Sequence, residues 1–245
     1  MQVSMTHDAL RCELRGAFIA LEDDVSCTAV LAEKCASPRS ASLGYHQEVR
    51  QRTIGILGYG HIGKEIAKRA VAFDMRVIAT ARSTRSATPE HLAWLGTSDD
   101  TMQLLMESDF VVVALPLNDD TEGAIGEKQL EAMKSTAVLI NIGRGKVVHE
   151  AALYGALKEK RIAGAIIDTW YHYPFMPRKA DEPVDELKPS RFPFEELENV
   201  IMTPHMSCWT DEHLDRRWGC IAANLDRCMA GSTLDNIVPR PKTTI

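Results

Sequence analysis

The chain of 245 residues is 45% hydrophobic and 25% charged with a formal net charge of -6, the balance of a folded globular protein with no general affinity for nucleic acid. No run approaches the ~18–20 uninterrupted apolar residues that a membrane span needs. The opening MQVSMTHDALRCELRG also lacks a signal-peptide core, so neither membrane nor nucleic acid is expected as a partner and the expected location is cytoplasmic.

In chain order, Leu10 to Leu21 and Val25 to Lys34 are helical candidates separated by the acidic Glu22-Asp23-Asp24, with no βαβ pattern of their own. The texture changes at Thr53. Thr53-Ile54-Gly55-Ile56-Leu57 reads as a buried parallel strand ending in Gly58-Tyr59-Gly60-His61-Ile62-Gly63, and Ile62, Ile66, Ala67 and Ala70 fall on one face of the following helix. A strand that feeds a helix through a tight turn aims unpaired backbone N–H groups at the positive end of the helix dipole, where a phosphate binds. Gly58 would permit the turn, Gly60 would let a pyrophosphate approach the backbone, and Gly63 would let helix and strand pack closely. With His61 and Ile62 these glycines form the expected dinucleotide cradle, although glycine-rich turns also occur for purely conformational reasons.

Arg76 to Thr80 is the second strand, followed by the polar loop Arg82-Ser83-Thr84-Arg85-Ser86 and a helix expected from Glu90 to Trp94. A helix over Thr101 to Glu107 and an apolar strand over Asp109 to Leu115 come next, with Pro116 at the strand's end placed among the cofactor-facing residues. Helix Glu127 to Met133, strand Ala137 to Asn141, amphipathic helix His149 to Lys160 and strand Ala163 to Asp168 continue the alternation. That alternation predicts a doubly wound α/β fold of Rossmann type around a parallel sheet. Tyr171 to Pro193, with five prolines, reads as a long loop. A short strand from Asn199 to Met202 leads into Thr203-Pro204-His205. A final helix from about Asp211 to Ala230 carries the apolar stripe Trp218, Ile221, Ala222 and Leu225 and stops at Gly231. The expected division is a shortened helical segment over 1–50, a dinucleotide-binding domain over 51–210 and a C-terminal helix and tail over 211–245. The six cysteines, Cys12, Cys27, Cys35, Cys208, Cys220 and Cys228, have neither C-x-x-C pairing nor zinc-type spacing; they read as reduced thiols with packing roles, and no metal site is expected.

Three segments in order, GILGYGHIGKEIAKRA, LINIGRGKVVHEAAL and NVIMTPHMS, resemble the D-isomer-specific 2-hydroxyacid dehydrogenases over about residues 48 to 235. The resemblance implies hydride transfer between a nicotinamide and the carbon of a 2-hydroxy or 2-keto acid, coupled to proton transfer at the oxygen. By motif, Arg144 is the carboxylate clamp, a guanidinium able to grip bidentately and polarise the carbonyl, where the plain alternative is a surface arginine at a strand end. His205 matches the family's proton-transferring histidine. Asp168 matches a position on the nicotinamide side of the cofactor, with a loop cap as its alternative.

Three departures accompany the resemblance. The family carries an acidic residue about five positions after Asp168 that pairs with the histidine, and here Tyr173 stands in that place. Glu182, in Asp181-Glu182-Pro183, is the candidate replacement. Residues 1–50 are fewer than the roughly hundred residues of substrate domain that usually precede the nucleotide domain, so the site is expected to lack one wall. After the second strand, Ala81 falls where an acid commonly meets the ribose hydroxyls, and Arg82, Ser83 and Arg85 follow. An arginine and a serine suit a 2′-phosphate, which favours NADP over NAD unless these are plain solvated loop residues. The leading expectation is an NAD(P)-dependent oxidoreductase of a small 2-hydroxy/2-keto acid that assembles as a homodimer. The alternatives are a catalytically impaired NAD(P)-binding regulatory module and a truncated family member that folds only as an oligomer.

Overall fold

The computed structural model describes residues 48–83, 88–173, 188–210 and 212–237. Among them the apolar runs become β1 (Thr53–Leu57), β2 (Arg76–Thr80), β3 (Trp94–Gly96), β4 (Phe110–Val113), β5 (Val138–Asn141), β6 (Gly164–Ile167) and β7 (Val200–Met202). They pair, all parallel, in the order β3-β2-β1-β4-β5-β6-β7. Because both faces of a parallel sheet are covered, its strands are apolar at successive positions through their middles rather than at alternate ones. Alternation then sends successive residues to two cores. Leu57, Ile78, Val111, Val113, Leu139 and Ile167 join one, together with Leu104 and Leu105 of α2 (Thr101–Glu107), Leu130 of α3 (Glu127–Ala132) and Leu153 and Leu157 of α4 (Glu150–Lys158). Ile54, Ile56, Val77, Ala79, Val112 and Ile140 join the other, with Ala67 and Ala70 of α1 (His61–Ala72). Helices on both faces make the fold the doubly wound α/β arrangement expected from the alternation.

From β1 at the middle of the sheet the described chain moves outward to β3, returns through α2 to β4 beside β1, and then moves outward the other way. The reversal between β1 and β4 leaves a crevice at the carboxyl ends of the strands, where ligands of such sheets bind. At the opposite edge Asp109 joins three elements: its carboxylate accepts the N–H of Thr53 at 2.8 Å and the ammonium of Lys134 at 2.9 Å. Burial alone would raise the pKa of this carboxyl, but the Thr53 and Lys134 bonds outweigh it and hold Asp109 below the ordinary aspartate value.

Two expectations are corrected. The segment from Glu90 to Trp94 is not a helix: it turns through Pro89 to Leu92, and Trp94 opens β3 opposite Ile78. An edge strand of three residues is too short to display a period. Ile62 does not face the sheet and is 58% exposed, while the buried face of α1 is Gly63, Ala67 and Ala70. Small residues at this spacing bring the helix close to the strand, and that rotation turns Ile62 outward.

The described residues through His205 belong to one compact unit and those from Met206 to a second. In the second, α5 (His213–Met229) runs to Gly231, whose positive φ of 65° and N–H bond to the Cys228 carbonyl end it as expected. No residue of α5 is buried, and Leu214, Trp218, Ile221 and Leu225 line one exposed side. Cys208, Cys220 and Cys228 are free thiols, but they are exposed rather than packed. No helix among the described residues is long and apolar enough to cross a membrane, and no cluster of possible metal ligands occurs among them. The helices expected at Leu10 to Leu21 and Val25 to Lys34, most of the proline-rich loop, Arg85 and Glu182 lie outside the described residues.

Candidate active site

The turn after β1 is closed by its own backbone. The N–H groups of Gly58 and Tyr59 both bond to the Thr80 carbonyl, at 3.1 and 2.8 Å, and that of Gly60 to the Gly58 carbonyl at 2.8 Å. Gly58 has φ of 100°, in the region that favours glycine, and a Cβ there would meet the Ala114 carbonyl oxygen at 2.7 Å. A Cβ on Gly63 would strike the Gly58 carbonyl oxygen, so this glycine permits the close approach of α1 to β1. Gly60 is different. Its φ of -89° and ψ of -154° are extended, and a Cβ there would meet nothing within 4 Å. Neither backbone conformation nor packing requires glycine at that position, whereas a pyrophosphate resting on the turn would. No side chain caps α1, so the N–H groups of His61, Ile62 and Gly63 at its first turn are left for such a ligand. Tyr59 is buried within the motif and its hydroxyl lies 2.6 Å from Nε2 of His91, which ties the turn to the approach to β3.

The remaining candidates stand along the same sheet edge. Arg82 and Ser83 follow β2, exposed, next to the strand that carries the glycine turn. Pro116 follows β4, and its carbonyl accepts the Thr121 hydroxyl at 2.6 Å. Arg144 follows β5 with its side chain exposed and Nη1 donating to the Gly143 carbonyl at 2.7 Å. Its loop is shaped by Asn141, a buried residue at the strand's end whose amide accepts from the Gly143 N–H and donates to the Arg144 carbonyl, both at 3.2 Å. Asp168 follows β6, 1% exposed, and accepts the Thr203 hydroxyl at 2.6 Å. His205 lies three residues beyond β7, partly exposed, in a left-handed conformation with φ of 56°.

Tyr173 meets His205 directly, with ring centroids 5.4 Å apart and planes tilted by 48°. Its hydroxyl oxygen accepts the Trp170 N–H at 2.9 Å. Burial, aided by the charge of Asp168, keeps this phenol above its ordinary value, while the Trp170 N–H and the Arg144 guanidinium pull the other way. The Trp170 indole N–H donates to the Thr203 carbonyl at 2.8 Å. Thr203 and Asn141 therefore shape the site without having been singled out from the sequence. Their one signal is position, a polar residue closing or following an otherwise apolar strand.

A parallel sheet reversing direction beside a glycine turn, with an uncapped helix N-terminus above it, defines a dinucleotide-binding α/β domain. Residues 29–207 match the family described as D-isomer specific 2-hydroxyacid dehydrogenase, NAD binding domain, and the chain belongs to that family. It is 38% identical over 183 residues to a glyoxylate reductase of Pyrococcus furiosus, an alignment covering 75% of this chain and 49% of that protein. The chain thus spans about half the length of this relative. Among solved structures it resembles an acyclic imino acid reductase in complex with NADPH and D-Arg, at 28% identity and a TM-score of 0.69, over 90% of this chain and 64% of that one. A D-lactate dehydrogenase with NAD+ from Lactobacillus jensenii is also similar, at 28% identity and a TM-score of 0.66, over 96% and 69% of the respective chains.

Proposed function

We propose that the chain serves in hydride transfer between a nicotinamide cofactor and a small 2-hydroxy/2-keto acid. The observation that carries this reading is the gathering of Arg144, Asp168 and His205 at the ends of the neighbouring strands β5, β6 and β7, on the sheet edge that also holds the glycine turn. When bound, a nicotinamide would supply or accept the hydride. Arg144, solvent-facing, holds the substrate carboxylate and draws electron density from its carbonyl. His205 gives a proton to the oxygen in reduction and takes one in oxidation. Asp168 lies on the nicotinamide side. Gly58, Gly60, His61, Ile62 and Gly63 hold the pyrophosphate, and Pro116 borders the cofactor. Arg82 and Ser83 receive a 2′-phosphate, so NADP is the preferred cofactor.

Two further parts belong to the reading. Glu182 is the acidic candidate for a partner to His205, and the exposed side of α5 is the face through which a homodimer forms. The test is oxidation of NADPH and NADH with a panel of small 2-keto acids. Turnover with at least one, lost in Arg144→Ala and His205→Ala, is expected. Cofactor binding without turnover on any of them would favour a nucleotide-sensing module instead, a reading that the tyrosine at the acidic position suits.

A further inference from the structure

The reaction assigned above leaves open what holds the His205 imidazole. Its loop is braced from one residue, Trp170, in two directions. The Trp170 indole N–H donates to the Thr203 carbonyl, two residues before His205, and the Trp170 backbone N–H donates to the hydroxyl of Tyr173, whose ring rests against the imidazole. Asp168 adds a third brace through the Thr203 hydroxyl. Both rings are thus carried by groups that Trp170 fixes, and Trp170 is 6% exposed and packed in the larger core.

We propose that Tyr173 is the positioning residue for His205: its ring orients the imidazole by aromatic contact where a carboxylate would do so by charge. Tilted aromatic rings at a separation of about 4.5–7 Å attract, so the contact restricts rotation of the imidazole. It differs from an ion pair in one respect. A carboxylate favours the protonated imidazole, whereas a neutral phenol ring orients the imidazole in either protonation state. The catalytic part of this inference rests on the hydride-transfer reading; the contact does not.

The test compares Tyr173→Phe, Tyr173→Leu and Tyr173→Glu in the full chain. By proton NMR, the His205 ring resonances carry a ring-current shift in the unmutated protein and in Tyr173→Phe, and lose it in Tyr173→Leu. With a turned-over 2-keto acid, Tyr173→Leu lowers kcat by about 2- to 10-fold with the KM for nicotinamide unchanged, the size expected from one aromatic contact, and Tyr173→Phe stays within about twofold. In Tyr173→Glu the fall of the reduction rate with rising pH moves to higher pH, since a carboxylate stabilises the protonated imidazole that reduction requires. His205 resonances that are the same in the unmutated protein and Tyr173→Leu would overturn the proposal. So would a pH profile unmoved by Tyr173→Glu, or a loss in Tyr173→Phe equal to that in Tyr173→Leu. Absence of turnover in the unmutated protein would count against the hydride-transfer reading alone, because the NMR comparison still decides the contact.

Discussion

Gly60 and Gly63 stand three positions apart in one motif, yet a methyl group on each should have opposite consequences. In Gly63→Ala the added carbon strikes the Gly58 carbonyl oxygen and comes within 3.1 Å of the Ile56 side chain and 3.2 Å of the Gly58 carbonyl carbon. Backbone cannot yield as a flexible side chain would, so the cost is that of overpacking, about 1–3 kcal/mol. At ~2–4 °C per kcal/mol for a chain of this size, Tm should drop by roughly 2–12 °C. In Gly60→Ala the added carbon meets nothing within 4 Å and the backbone is already extended, so stability should stay within about 0.5 kcal/mol. The methyl stands instead where a pyrophosphate would approach. Displacing it from one charge-assisted N–H bond costs about 1.5–3 kcal/mol, or roughly 10- to 150-fold in affinity, and Gly60→Val should cost more. Thermal melts without nucleotide and titration calorimetry with NADPH separate the two effects. If Gly60→Ala binds NADPH as tightly as the unmutated protein, no pyrophosphate approaches at Gly60 and the reasoning fails. If it melts as early as Gly63→Ala, the open space assigned to Gly60 is filled and the reasoning fails.

NADPH should bind more tightly than NADH, and Arg82→Ala should remove a preference of about 10- to 150-fold; equal affinities in the unmutated protein would exclude the 2′-phosphate role. Because Asp109 is held below the ordinary aspartate value when folded, its stabilisation is fully present above that value and is lost as pH falls through the lower, folded one. Asp109→Asn should therefore be about 1–3 kcal/mol less stable at neutral pH, with the gap closing in acid; denaturant titrations whose gap is independent of pH would contradict this. Sedimentation at micromolar concentration should show a dimer that Leu225→Asp converts to a monomer, and a monomeric unmutated chain would remove α5 as the interface. Glu182→Gln should shift the pH profile of reduction if that carboxylate serves His205, and a superimposable profile would exclude it.

The parts of the fold that depend on neighbours in the chain were legible from sequence. Runs such as Phe110 to Val113 and Val138 to Ile140 are apolar without interruption because both faces of the sheet are covered, and their number and order gave the doubly wound arrangement. Where packing rather than periodicity sets the outcome, reading along the chain fell short. The orientation of α1 follows from the need to bring Gly63 against Gly58, which turned Ile62 to solvent. Trp94 was read into a helix because a strand of three residues exists only through its pairing with β2. At the site, the positions of Arg144, Asp168 and His205 at strand ends were visible as motif, but their supports were not. Asn141 reaching round to the Arg144 carbonyl and Trp170 linking Thr203 to Tyr173 are contacts across a turn or between strands, and neither leaves a periodic trace.

The left-handed backbone at His205, immediately after Pro204, sets stability against the proton-transfer role proposed for that position. A side chain in that conformation costs about 1–2 kcal/mol that glycine does not incur, and asparagine tolerates it better than most residues. A library randomised at position 205 and screened for thermal survival alone would accordingly enrich glycine and asparagine over histidine. If His205 transfers the proton as proposed, directed evolution of a hardier version of this chain would have to select for that transfer in every round, because the first gain in melting temperature available at the site is the one that discards its imidazole.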